Sequence, residues 1–112
     1  MVNRMKNKIR IYQIPFEKLH DVKYSFMNWE YARDKFSIND YELVAEWQGN
    51  VDRDSCEEYL ERIFSLGNNG TLQNLVNNKM RSISMSDVIE IDGIRWYCDT
   101  CGFKWAGTCH EI

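Results

Sequence analysis

The run RWYCDTCGFKWAGTCHEI, from Arg95 to Ile112, gathers the side chains best suited to chemistry: Cys98, Cys101, Cys109 and His110. Three thiols and an imidazole are the donor set of a structural zinc site, which closes a tetrahedron with four ligands, commonly from two short knuckles. Cys98-Asp99-Thr100-Cys101-Gly102 supplies one knuckle. The second is missing, because Cys109 and His110 are adjacent and successive side chains of a strand point to opposite faces. A redox pair of the thioredoxin kind needs a helix N-terminus to lower its thiolate pKa, and this pair follows a strand into a turn. The sequence is therefore read as a β-hairpin that carries sulfur, with no metal and no cofactor. Zinc held by Cys98, Cys101, Cys109 and His110 is the alternative.

Other reactive constellations are absent from the sequence. There is no glycine-rich phosphate loop and no zinc-protease helix. His20 and His110 have no carboxylate partner nearby in sequence, and Glu57 and Glu58 are explained by the start of a helix. No enzymatic activity is expected.

Charge is unevenly distributed. The first ten residues hold Arg4, Lys6, Lys8 and Arg10 and no acid, whereas residues 40–61 hold eight acids against Arg53 alone, within a chain of net charge −3. Affinity for nucleic acid comes from neutralising phosphates, so direct nucleic-acid binding is the weaker expectation. It would use the basic arm with Trp96, Tyr97 and Trp105. The acidic excess suits docking on a basic protein surface. The expected contact residues are Glu42, Glu46, Asp52, Asp54, Glu57 and Glu61, with Trp47 as an aromatic anchor.

The elements that must position these groups are legible from periodicity. KIRIYQI alternates as a strand stopped by Pro15. SFMNWEYARDKF places Phe26, Trp29, Ala32 or Arg33, and Phe36 near helical spacing, with Ser25 as N-cap. YELVAEW reads as a strand with Tyr41, Leu43, Ala45 and Trp47 on one side and Val44 on the other. In DRDSCEEYLERIFSLG, Cys56, Tyr59, Leu60, Ile63 and Phe64 form an apolar helical stripe, opened by a Ser55/Glu58 capping box and stopped by Gly67. A Gly- and Asn-rich loop follows, with one helical turn around Leu72 to Val76. Ser84-x-x-Asp87 then turns into a strand, Asp92-Gly93 makes a hairpin turn, and IRWYC and FKWA complete the sheet. The order β-α-β-α-β-β-β predicts one α+β domain over residues 1–112, with a mainly antiparallel sheet and two helices packed on one side. Hydrophobic residues at 44 % exclude a disordered chain. No run is apolar enough to span a membrane, and no apolar segment follows the charged start, so a cytoplasmic protein is expected.

The stretch MRSISMSDVIEIDGIRWYCDTCGF resembles the YodL-like domains, small modules of bacteria, phages and conjugative elements. Arg81, Ser82, Ser84, Met85, Ser86, Asp87, Val88 and Ile89 carry the resemblance before the hairpin. Trp96, Tyr97, Cys98, Asp99, Gly102 and Phe103 carry it afterwards. Cys101 and the tail WAGTCHEI, from Trp105, depart from the family pattern. The resemblance implies no catalytic residue. Ser84 and Asp87 read as turn residues, whereas Arg81 and Asp99 are open to pairing across the hairpin or to facing a ligand. The mobile-element context implies a protein that binds a host partner, such as a CRISPR effector or a restriction nuclease, through its acidic face.

Overall fold

Ile9 and Ile11 point to one side of the first strand and Tyr12 to the other, and this alternation organises the molecule. The computed structural model describes residues 7–50, 56–68 and 80–109. The strands are β1 (Asn7–Gln13), β2 (Glu42–Gly49), β3 (Val88–Ile91), β4 (Ile94–Cys98) and β5 (Phe103–Thr108). The helices are α1 (Trp29–Ala32) and α2 (Cys56–Asn68), and short 3-10 turns occupy Phe16–Lys18 and Ile38–Asp40. The five strands form one antiparallel sheet in the order β2-β1-β3-β4-β5. The α+β class and the antiparallel sheet are as expected.

The layering differs from the expectation of both helices on one side. Ile9, Ile11, Ile89, Ile91 and Cys98 pack with Leu60 and Ile63 of α2. Val88 and Tyr97, their neighbours in sequence, pack instead with Ile14, Val22, Tyr24 and Ala32 of the α1 layer. Successive strand residues face opposite ways, so the two helical layers cover opposite faces of the sheet. The strands' own apolar content requires this arrangement: Val88 to Ile91 are buried at every position, which needs cover on both sides.

Three local readings change as well. The helix predicted from Ser25 begins only at Trp29, because Phe26 adopts a left-handed backbone (φ 62°) that no helix contains. Asn28 caps it, its side chain accepting from the Tyr31 N–H at 2.9 Å. In β2 the pairing slips by one residue, Ile11 opposite Ala45 but Tyr12 opposite Leu43. The extra residue, Val44, is buried while Leu43 is exposed, the opposite of strict alternation. Gly67 lies inside α2, where a β-carbon would come within 2.4 Å of Ile83 Cδ1. It serves close packing and does not stop the helix. Ser55 of the capping box and the turn expected at Leu72 to Val76 lie outside the described residues.

The β3–β4 turn is as read: Asp92 (φ 51°) and Gly93 (φ 85°) both take the left-handed backbone of a two-residue hairpin turn. Asp92 also ties the turn to β1, accepting from the Lys8 N–H at 2.8 Å and from the Asn7 side chain.

Candidate interaction surface

The polar residues of the SISMSD motif are occupied with the fold itself. Asp87, about 1 % exposed, lies just before β3. Its Oδ2 accepts from the Ser84 N–H at 2.9 Å and from Gln13 Nε2 at 3.0 Å. Burial pushes the Asp87 carboxyl up to about 7, against the opposing pull of these two donors and of the Arg81 charge. Gln13 also accepts from the Arg81 N–H at 3.0 Å, and Arg81 Nη2 donates to the Ile14 carbonyl at 2.8 Å. Ser86 takes a left-handed backbone (φ 82°) and receives the Phe26 N–H on its hydroxyl at 3.0 Å. Asp99 caps the opposite layer, its Oδ1 accepting from the Trp29 N–H at 2.9 Å and the Thr100 N–H at 2.8 Å. Arg81 and Asp99, left open between mutual pairing and ligand binding, thus serve backbone groups of different segments.

The sulfur residues do not converge. Cys98 is buried at the turn end of β4, opposite Phe103, whereas Cys109 donates its N–H to the Gly93 carbonyl at 2.6 Å at the other end of the hairpin. Five residue steps, from Gly93 to Cys98, separate those ends, about 17 Å at roughly 3.3 Å per residue, too far for one ion. Cys101 is exposed on the turn beside Cys98, and His110 lies outside the described residues. Among those residues no group of three or more potential ligands is placed to hold a metal. Burial raises the Cys98 thiol pKa well above the ordinary range and that of Cys56 less far.

The expected acidic contact set is split. Glu46 is on the Tyr12 side of edge strand β2, paired with Arg10 at 2.5 Å. Arg10 also reaches Glu90 at 3.4 Å, and Glu90 takes Arg95 at 3.2 Å, so this end of the sheet is an internal ion network. Glu42 is half-buried beside Phe16 and Arg81. Trp47, expected as an aromatic anchor, is half-buried against the α2 core. Asp52 and Asp54 lie outside the described residues. Glu57 and Glu61 are exposed on α2, on the opposite face from Glu46 and toward the β4–β5 turn. The aromatic platform expected for nucleic acid is divided too: Tyr97 is buried in the α1 layer, while Trp96 and Trp105 lie side by side on the other face.

The sequence reading missed one arrangement. Between α2 and the β4–β5 turn lies a groove of about 270 Å³, lined by Glu61, Phe64, Cys98, Asp99, Thr100, Cys101, Gly102 and Phe103. Glu57 stands at its rim, its Oε1 3.6 Å from where a Gly102 β-carbon would be. Two residues further along β5, Trp105 is 60 % exposed. Among the described residues Glu57 and Glu61 make no ion pair, and no strand lies outside β5. Alternation of FKWA signalled only that Phe103 and Trp105 share a face. The exposure of Trp105 follows from its place on the last strand, which one sequence does not reveal.

A family model described as a YodL-like domain matches residues 8–107. The chain belongs to that family. The match takes in β1 through nearly all of β5, so the YodL-like domain includes both helical layers as well as the motif from Arg81 to Phe103. No curated protein and no solved structure gives a significant match. In this YodL-like domain no described helix is long and apolar enough to cross a membrane.

Proposed function

We propose that this YodL-like domain is a non-enzymatic, cytoplasmic protein-binding module of a phage or mobile element that counters a host nucleic-acid-directed defence. Its partner would be a CRISPR effector or a restriction nuclease. The observation that carries the binding reading is the contrast between two sets of polar groups. Asp87, Gln13, Arg81, Ser86 and Asp99 spend their hydrogen bonds on the domain's own backbone or on one another. The indole of Trp105 and the carboxylates of Glu57 and Glu61 face solvent on one side. Tryptophan is enriched among residues that dominate binding energy, and exposed carboxylates suit the basic surface with which a nuclease holds phosphate. The mobile-element context comes from the family resemblance. The contact region proposed from sequence is thereby narrowed from the whole acidic segment to the α2 end of it.

The test is phage plating on isogenic hosts that carry or lack a CRISPR system or a restriction system, with the domain expressed in each. Plating should rise with the domain only where a defence is present. The Glu57→Lys/Glu61→Lys variant, with unchanged circular dichroism, should lose the effect. Equal plating with and without the domain on every defended host would remove the anti-defence reading.

A further inference from the structure

The binding reading leaves open how a partner is held, and the sheet edge supplies a mode. We propose that β5 receives an extended segment of the partner as a sixth strand, with a lysine or arginine of that segment entering the groove beside α2. This inference rests on the protein-binding reading and adds the partner's chemistry to it.

Three observations meet at one edge. The first is the edge itself: β5 runs six residues from Phe103 to Thr108 and is bonded on one side only among the described strands. An unpaired strand edge presents a row of N–H and C=O groups that template another strand. Both edge strands carry a register shift, β2 at Val44 and β5 between Trp105 and Thr108, so the edges differ in charge. On β2, Glu46 is already paired with Arg10 and Glu42 lies beside Arg81, which leaves less there for a cation. The second is Trp105, exposed on the face that adjoins the groove, where it offers a large apolar contact to a neighbouring strand's side chain. The third is charge. Glu61 lines the groove and Glu57 stands at its rim, with no lysine or arginine among the described lining residues. Asp99, also in the lining, is held by the Trp29 and Thr100 N–H groups. A cationic side chain suits it, and its long aliphatic stem matches the Phe64 and Phe103 walls, whose rings are 6.4 Å apart.

Charge also selects among occupants. Antiparallel pairing of two copies of this chain would set the Phe103 end of one β5 against the Thr108 end of the other. Lys104, the one charged residue of β5, would then lie away from the groove. A basic segment of another protein meets the carboxylates where a second copy would not.

The experiment uses the full chain and three fluorescein-labelled peptides of about ten residues: alternating Val and Arg, the same peptide N-methylated at every second residue, and alternating Val and Glu. The Val–Arg peptide should raise fluorescence anisotropy on binding, with affinity that falls as salt rises. N-methylation removes the donors of a strand pair and should weaken binding at least about tenfold, as should Trp105→Ala or Glu57→Lys/Glu61→Lys. Amide resonances of residues 103–108 should shift and gain exchange protection, with those of residues 42–49 unchanged. Equal binding of the N-methylated or the Val–Glu peptide, no binding at all, or protection at β2 would each overturn the inference. So would a dimer through β5 in analytical ultercentrifugation without peptide. These outcomes are independent of plating: rescue on defended hosts without peptide binding overturns strand addition alone.

Discussion

Asp87 is the residue whose chemistry is most constrained by its surroundings. It holds Ser84 and Gln13 from a position almost without solvent, and burial raises its carboxyl from the ordinary 3.8 to about 7. A carboxyl raised on folding binds more protons in the native state than in the unfolded one between those two values. Stability therefore falls as pH rises from about 4 to about 7 and is flat above, at up to about 1.4 kcal/mol per pH unit. Asp87→Asn keeps an acceptor for both donors and carries no charge. The expected result is a native state whose urea midpoint changes little between pH 5 and pH 8, whereas the wild-type midpoint falls over that interval. A wild-type midpoint that rises with pH would show the charged carboxylate to be the stabilised form. The sequence disclosed this residue's role in part. Ser84-x-x-Asp87 marked a turn, but Gln13, its other partner, is more than seventy residues away, and no local pattern reports such a contact.

At the scale of elements, periodicity was informative where a segment obeys one period and misleading where it breaks. β1 and α2 obey theirs: Ile9, Ile11 and Gln13 are buried along the strand, and Leu60 and Ile63 along the helix. Asp92-Gly93 was legible because its turn type demands two positive φ angles. α1 was overextended, since helical spacing of Phe26, Trp29 and Phe36 says nothing about the left-handed Phe26. The bulge in β2 was hidden for a related reason: one inserted residue reverses every side assignment before it. The bulge predicts a distinct mutational pattern. Leu43 is 47 % exposed and Val44 6 % exposed, so Leu43→Ser should change stability by no more than about 0.5 kcal/mol. Val44→Ser should cost about 2 kcal/mol through lost apolar contact and a buried hydroxyl. Chemical denaturation of the two variants measures both, and the reverse order would restore the regular strand with Leu43 inward.

At the scale of the molecule, one sheet serves two cores. This arrangement was not legible, because the element order β-α-β-α-β-β-β is equally compatible with helices on one face or on both. The buried run from Val88 to Ile91 is the local trace of the second choice. The candidate surface was hidden for the same reason: which acids share a face depends on which side of the sheet α2 covers. Tyr97 and Cys98 are consecutive yet belong to different cores, so the two layers should loosen separately. Tyr97 donates its hydroxyl to the Met27 carbonyl at 2.6 Å, and its ring packs at a tilt of 49° against Trp29 with centroids 4.9 Å apart. Tyr97→Phe keeps the ring and deletes only the hydrogen bond, at a cost of about 1 kcal/mol. Hydrogen exchange should then quicken at the Ala32, Arg33 and Phe36 amides, which close the α1 turns, while the α2 amides keep their rates under conditions where local opening dominates. Cys98→Ala, one residue along, should do the reverse. If Tyr97→Phe instead accelerated both layers equally, the sheet would be transmitting the loss, and the domain would open as a single cooperative unit.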